Sequence, residues 1–467
     1  MPRLTLSFVL FLTTQAALAD NWGHWRGPTG NGAAEDASPP TEWSAKKNVK
    51  WKVAIPGKGS GSPVIWGDKV FVVTAVSAEA KSASPQAARE PSRRSGSGQE
   101  ARGRPEGGGD SQRRPSGRSR GRFGRSRGGS RGGSLSTLDF KILCFDRKSG
   151  KELWQQSAIK AKPHEGTHST NGFASGSPCT DGEHVYAHFG SRGLYCYTLD
   201  GKLKWKRSDF GKMTMRAGFG EGSSPTIIGE KIILPWDHEG QSAVYALDKS
   251  SGKTIWKTNR DEPSCWATPL VVEHKGKKQV VLNGQTCARS YDLKTGKELW
   301  RCAGQTQRPV ASPVAGKGLV FVGSGFRGSF LGAFQLDGKG NIEDSKNVAW
   351  VIDRDTPDIA SPLYSSGRVY FHKGKSGMLS CVDASTGKPH YTVQRISGIN
   401  STYASPIAAG GHVYLTGRSG TTVVIKDAGK LEVVSTNSVG EGVDATPAPA
   451  GKELFIRGEK HLFCISE

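Results

Sequence analysis

Asp292-Leu293-Lys294-Thr295-Gly296-Lys297-Glu298-Leu299-Trp300 decides how the rest of the chain is read. An Asp, a Gly-centred turn and a Trp eight residues after the Asp describe a β-hairpin with one aromatic anchor. The Asp carboxylate accepts hydrogen bonds from turn amides, and the Gly supplies the positive φ that such a turn requires. The pattern returns at Asp146 to Trp154 (DRKSGKELW), at Asp248 to Trp256 (DKSSGKTIW) and, with Tyr in place of Trp, at Asp383 to Tyr391. A clipped form runs from Asp200 to Trp205 (DGKLKW). A motif that recurs this often is architecture before it is chemistry.

A second mark gives the period. Ser/Thr-Pro followed by apolar residues occurs at Ser62, Ser177, Ser224, Thr268, Ser312, Ser361, Ser405 and Thr446, with gaps of 115, 47, 44, 44, 49, 44 and 41 residues. Removing a 61-residue insert from the first gap leaves 54, so eight units share a period near 44. Self-similarity at such a period means a repeat architecture. Each unit reads as four short strands with Gly-rich turns and no amphipathic helix, as in Ser361-Pro362-Leu363, Arg368-Val369-Tyr370-Phe371 and Met378 to Val382. The expected fold is all-β, an eight-bladed β-propeller of four-stranded antiparallel blades. The eighth unit stops before its Trp strand, and Val49-Lys50-Trp51-Lys52-Val53 at the start supplies it. An N-terminal strand therefore closes the last blade and covers an edge.

The 467 residues divide accordingly. Residues 1–19 read as a cleaved export signal: Arg3, an apolar run from Leu4 to Leu12, and Ala17-Leu18-Ala19 before Asp20. The run is too short to span a bilayer, so a periplasmic or secreted protein without a membrane span is expected. Residues 20–48, with Trp22, Trp25 and several Gly, read as an N-terminal clasp packed on the blade exterior, and 49–467 as the propeller. Residues 77–137 interrupt the first blade and hold 14 Lys+Arg against 5 Asp+Glu, +9 of the net +22. With almost no aliphatic residues this Arg/Gly/Ser-rich, RGG-like insert is expected to be disordered, with polyanions as its natural contacts. Four of the eight cysteines, Cys144, Cys196, Cys381 and Cys464, fall at one repeat position and read as small buried residues. Any disulfide would come from Cys179, Cys265, Cys287 and Cys302, in a pairing the sequence does not show.

Hairpins of the type A-x-D-x-x-T-G-K-x-x-W with Ser/Thr-Pro starts, eight times over about residues 49–467, resemble the pyrroloquinoline-quinone-type (PQQ-like) propeller repeat. Trp25-Arg26-Gly27-Pro28, Trp236-Asp237-His238-Glu239-Gly240 and Ser324-Gly325-Phe326-Arg327-Gly328 look like an exported bacterial subgroup of that family. The family includes quinone-dependent alcohol and glucose dehydrogenases and the non-catalytic lipoprotein of the outer-membrane β-barrel assembly machinery. The resemblance to the dehydrogenases would imply PQQ and calcium, but their vicinal Cys-Cys pair is absent here, as is a Cys after the export signal that would make a lipoprotein. No position matches the dehydrogenase base or calcium ligands. The resemblance carries the fold, not a catalytic activity.

Propeller sites form where the loops of one face converge on the axis. The ligand-face candidates in those loops are His168, Asn171, Glu221, Asp237, His238, Glu239, Trp266, Arg289, Arg327, Tyr403, Arg418 and Asp444, a mixed-charge set with aromatics suited to a polar or anionic ligand or a partner segment. His164-Glu165-Gly166-Thr167-His168 has the letters of a zinc-protease H-E-x-x-H motif, but Pro163 and Gly166 deny it the helix its chemistry needs. The expected function is a non-catalytic, monomeric binding or scaffolding module of the cell envelope, meeting an envelope protein or polar ligand. The alternative is a PQQ- or metal-dependent oxidoreductase using the same axial pocket.

Overall fold

In the computed structural model, which describes residues 21–78 and 135–467, the strands among the described residues form eight sheets. The first blade runs outward as Val64–Trp66, Lys69–Ser77, Leu138–Asp146 and Glu152–Ala161. The eighth holds Ala448–Ala450, Glu453–Arg457 and His461–Ile465, and its outer strand is Val49–Ala54 from the N-terminal side, antiparallel to His461–Ile465. Two blades carry a short fifth strand, Gly340–Asn341 beside Glu298–Cys302 and Ala33–Ala34 beside Ile407–Ala409. The family resemblance and the fold read from the repeat agree with this architecture.

The hairpin motif does two jobs. Asp292 Oδ1 accepts from the Thr295 amide and hydroxyl, both at 2.7 Å, and Gly296 has φ 74°. The preceding blade's Trp256 lies on that glycine, its ring 2.6 Å from where a Cβ would stand, and its Nε1–H donates to the Leu293 carbonyl at 3.1 Å. Trp51, Trp154, Trp205 and Trp350 repeat the contact on the carbonyls of Arg147, Leu199, Lys249 and Ala384. Within its own blade each anchor stands across from a small residue of the third strand: Cys464 for Trp51, Cys144 for Trp154, Cys196 for Trp205, Ala246 for Trp256, Ser290 for Trp300. These cysteines are buried as small apolar groups, and all eight are free thiols. That settles the possible pairing of Cys179, Cys265, Cys287 and Cys302 as none.

The N-terminal segment departs from expectation. Instead of lying on the blade exterior, residues 22–34 cross one end of the propeller axis and touch the inner strands in turn. Trp22 exchanges backbone hydrogen bonds with Ile65, the Thr180 amide donates to Gly23, and His24 meets Thr226 Oγ1 at 3.2 Å. Gly30 lies against Leu270. Asn31 makes a two-way contact with the Ala315 backbone at 2.8 Å each way. The Arg26 guanidinium donates to the carbonyls of Pro362 and Pro406, and the Ala408 amide donates to Gly32. Only the following residues run along a blade, where Trp43 stacks on Tyr414 at 6.4 Å and its amide donates to Asn437. The sequence hides this route because it is built from backbone groups and glycines, which carry no periodicity.

The expected export signal over 1–19 and nearly all of the insert over 77–137 lie outside the described residues. The ends of the insert leave the second-to-third strand connection of the first blade, with Ser77 paired to Leu138 and the Ala78 amide on the Thr137 carbonyl at 2.9 Å. No helix among the described residues is long and apolar enough to cross a membrane.

Candidate functional site

The Ser/Thr-Pro marks build the wall of an axial pocket. Each of seven hydroxyls accepts the backbone N–H of the equivalent residue one blade earlier: Ser177 from Ser62, Ser224 from Ser177, Thr268 from Ser224, Ser312 from Thr268, Ser361 from Ser312, Ser405 from Ser361 and Thr446 from Ser405, at 2.8–3.1 Å. The result is a belt of hydroxyls around the axis. Proline after each one removes a donor that could not be used at a strand start.

Above the belt opens a cavity of about 390 Å³, within the usual range for small-molecule sites. Trp25 of the N-terminal segment lines it below, and Phe219, Trp266, Phe326 and Tyr403 form its aromatic walls. The Arg308 guanidinium stands 3.5 Å over the Phe326 centroid and 5.8 Å from that of Phe219. Arg418 stands 4.1 Å over Tyr403 and holds Asp444 bidentately at 2.6 and 3.0 Å. Asp358 is shared by Arg308 at 3.4 Å and Lys375 at 3.6 Å. Burial lowers the Arg308 value from its ordinary level, and the bond to Asp444 raises that of Arg418. Cations on ring faces are fixed in direction as well as place. Cations outnumber acids around these rings, with Arg308, Arg327, Lys375 and Arg418 against Asp358 and Asp444.

Of the sequence candidates, His168, Asn171, Trp266, Tyr403 and Asp444 line this pocket, while Arg418 and Arg327 flank it through Tyr403 and Phe326. The other five lie outside its lining, taken up by neighbouring loops and strands. Glu221 accepts from Ser191 and Arg192. Asp237 is buried with Arg260 at 2.8 Å. His238 Nδ1 accepts the Gly240 amide, and Glu239 accepts from Ser264. Arg289 is clamped by Glu262, Asp261 and Glu298. Charged loop residues near a Ser-Pro mark look alike in sequence whether they face the axis or a neighbouring blade, because blade spacing brings both within reach of opposite charges. Trp25, Phe219, Phe326 and Lys375 were absent from the candidate set. Their signal was available for Phe326, between Gly325 and Arg327, but Trp25 needed the N-terminal route.

The H-E-x-x-H letters separate in space. His164 Nε2–H donates to the Met213 carbonyl at 2.7 Å while its Nδ1 accepts from Arg192 at 3.0 Å, and His168 lies edge-on to Phe219 in the axial pocket. His164, Glu165 and Glu221 gather within 4.8 Å, but the Arg192 guanidinium already bonds two of them. Burial raises the Glu165 carboxyl, which accepts the Met215 amide.

The axial residues do not fit a calcium ion. Asp444 in the lining and Asp358 beside Arg308 are both held by cations, and Asn171 Oδ1 takes the Gly172 amide and Ser175 hydroxyl, so among the described residues no set of free carboxylate and amide oxygens converges there. No cysteine is among the pocket-lining residues.

A family model described as outer membrane protein assembly factor BamB matches residues 139–341 and 240–467, together well over half of the chain. No curated protein matches. Among solved structures, the quinohemoprotein alcohol dehydrogenase of Comamonas testosteroni is 10% identical with a TM-score of 0.56, covering 97% of this chain and 81% of that one. The computationally designed Ika8 protein is 10% identical at 0.51, covering 72% and 94%. BamB from Moraxella catarrhalis is 13% identical at 0.49, covering 70% and 88%. At these identities the structural likeness speaks for the fold alone.

Proposed function

The chain belongs to the family described as outer membrane protein assembly factor BamB, and on that footing we propose that it is a non-catalytic binding module of the cell envelope, holding its ligand or partner segment in the axial pocket. The observation that carries this reading is the pocket itself. Four aromatic walls and an excess of cations suit a polar or anionic group that brings a flat or apolar body with it. Both carboxylates there are committed to guanidinium or ammonium partners, so neither is free to take a proton from a substrate.

Two measurements test it. Purified protein titrated with pyrroloquinoline quinone and calcium, then assayed for dye-linked oxidation of alcohols and sugars, is expected to show no turnover. Steady turnover would replace the binding module by an oxidoreductase. In parallel, envelope extract is passed over immobilised protein and over the Arg308→Ala, Phe326→Ala variant. A component retained by the first and lost by the second is expected. Equal retention on both columns would move the function off the axial pocket.

A further inference from the structure

The belt of hydroxyls has a chemical property that the rest of the pocket does not share. Each Oγ receives a backbone N–H, and none of these hydroxyls donates to a protein acceptor among the described residues. Their protons are left for whatever stands on the axis. These are not exposed surface serines, since Ser312 and Ser405 are 5% and 1% exposed. A buried donor without an acceptor costs free energy until something supplies one.

Next to this belt lies a charge without a counter-charge. Arg26 is 1% exposed, and its guanidinium donates to the carbonyls of Asn31, Pro362 and Pro406, the last two directly after the belt residues Ser361 and Ser405. No carboxylate among the described residues pairs with it. Arg457 repeats the theme in the eighth blade, 3% exposed and bonded to the Gly61 carbonyl, directly before Ser62. Burial pushes the two guanidiniums down to about 9 and about 10. A buried cation whose hydrogen bonds go to carbonyls rather than to a carboxylate attracts an anion strongly, because little water screens it.

We propose that the hydroxyl belt beside Arg26 is an anion seat at the foot of the axial pocket, taking a compact monoanion or the carboxylate head of a larger ligand. Hydroxyl protons supply the hydrogen bonds, and Arg26 and Arg457 supply the field. The N-terminal segment thus contributes to the site as well as covering the axis, since it brings Arg26 and Trp25. The seat deepens the binding-module reading and rests on it only for the larger ligand. A free ion needs the belt alone, whereas a carboxylate on an aromatic body also uses Phe219 and Trp266 above.

The experiment uses the full chain in buffer free of halide and carboxylate. Binding of bromide, formate and benzoate is measured by calorimetry, with a large sulfonate that cannot enter as the ionic-strength control. The seat predicts saturable binding of all three, mutual competition, and an anomalous bromide peak on the axis within hydrogen-bond distance of the belt. Ser312→Ala with Ser405→Ala should weaken binding tenfold or more, and Ser312→Thr with Ser405→Thr should restore most of it, as Thr268 and Thr446 already serve in the belt. Arg26→Met should also weaken all three, but this variant can fail to fold, so the Ala and Thr pairs decide. Absence of saturable bromide and formate binding, or equal affinity in the Ala and Thr pairs, overturns the seat. Bromide binding with benzoate no tighter than formate keeps the seat and removes the aromatic walls from ligand binding, which then counts against the binding-module reading alone.

Discussion

Trp300 shows what a single residue does in this repeat. It is fully buried, faces Ser290 across its own blade and packs 5.8 Å from Phe334 in the next. Its place follows from size. A bulky outer-strand side chain needs a small residue across the ladder and a glycine in the next blade's turn, and the chain supplies both at its Trp anchors. At Trp300 the next hairpin is longer, and Gly340–Asn341 wraps beside its strand instead of offering a carbonyl to the indole. Removing the ring leaves a cavity shared by two blades. Trp300→Ala is expected to cost about 3–5 kcal/mol in urea unfolding, with bromide or benzoate affinity unchanged because the site is many residues away along both strands. A variant with wild-type stability would mean that the blades do not meet through this anchor.

Among the elements, the N-terminal segment was the least legible and the hairpins the most. Asp292 to Trp300 could be read because its spacing repeats and each residue type has one physical reason to be there. The segment from Trp22 to Ala34 occurs once, so no period marks it, and its contacts are made by backbone groups and by one buried arginine. The same asymmetry explains the site. His168, Trp266 and Tyr403 could be chosen from loops beside a repeat mark, whereas Trp25 reaches the pocket only by crossing the axis. The hydroxyl belt lies in plain view as Ser/Thr-Pro, but in sequence that mark reads as a strand start, because its bonds run between blades 41 to 49 residues apart, or 115 where the insert intervenes. Gly32 tests the segment directly. It has φ 82°, and a Cβ there would stand 2.4 Å from the Arg26 Cζ. Gly32→Ala is expected to destabilise by about 1–3 kcal/mol and to weaken the anion seat, measured by denaturant midpoint and bromide titration. A wild-type midpoint would mean that Arg26 is not held against this turn.

At the scale of the whole molecule, the propeller closes around buried polar groups that were placed without charge. His188 and His372, both buried, and the half-buried His24 are each pushed down to about 4, mainly by desolvation, from an ordinary 6.5. For His188 and His372, neither ring nitrogen has a side-chain or backbone hydrogen bond of ordinary geometry. A depressed value contributes stability that is present above the unfolded value and lost as pH falls through the folded one. The window is therefore pH 6.5 to 4, where the unfolded chain binds protons that the folded chain refuses. Asp237 works in the opposite sense, since burial raises it to about 6 from 3.8, so the folded chain takes up a proton in part of that range. Across these four groups the balance is an uptake of about two protons on unfolding, or a slope near 2.7 kcal/mol per pH unit at its steepest. Below the window the hairpin carboxyls take over. Hydroxyl bonds from Ser149, Ser250, Thr295 and Thr386 hold Asp146, Asp248, Asp292 and Asp383 below the ordinary 3.8, so their contribution disappears as pH falls through those lower values. Denaturant unfolding at half-unit steps from pH 7.5 to 4 checks the first window. His372→Asn is expected to reduce the slope by about one proton. Stability that stays level from pH 7 to 4.5 would show that the histidines take up protons in the folded propeller, and so that water reaches the blade ends where they lie.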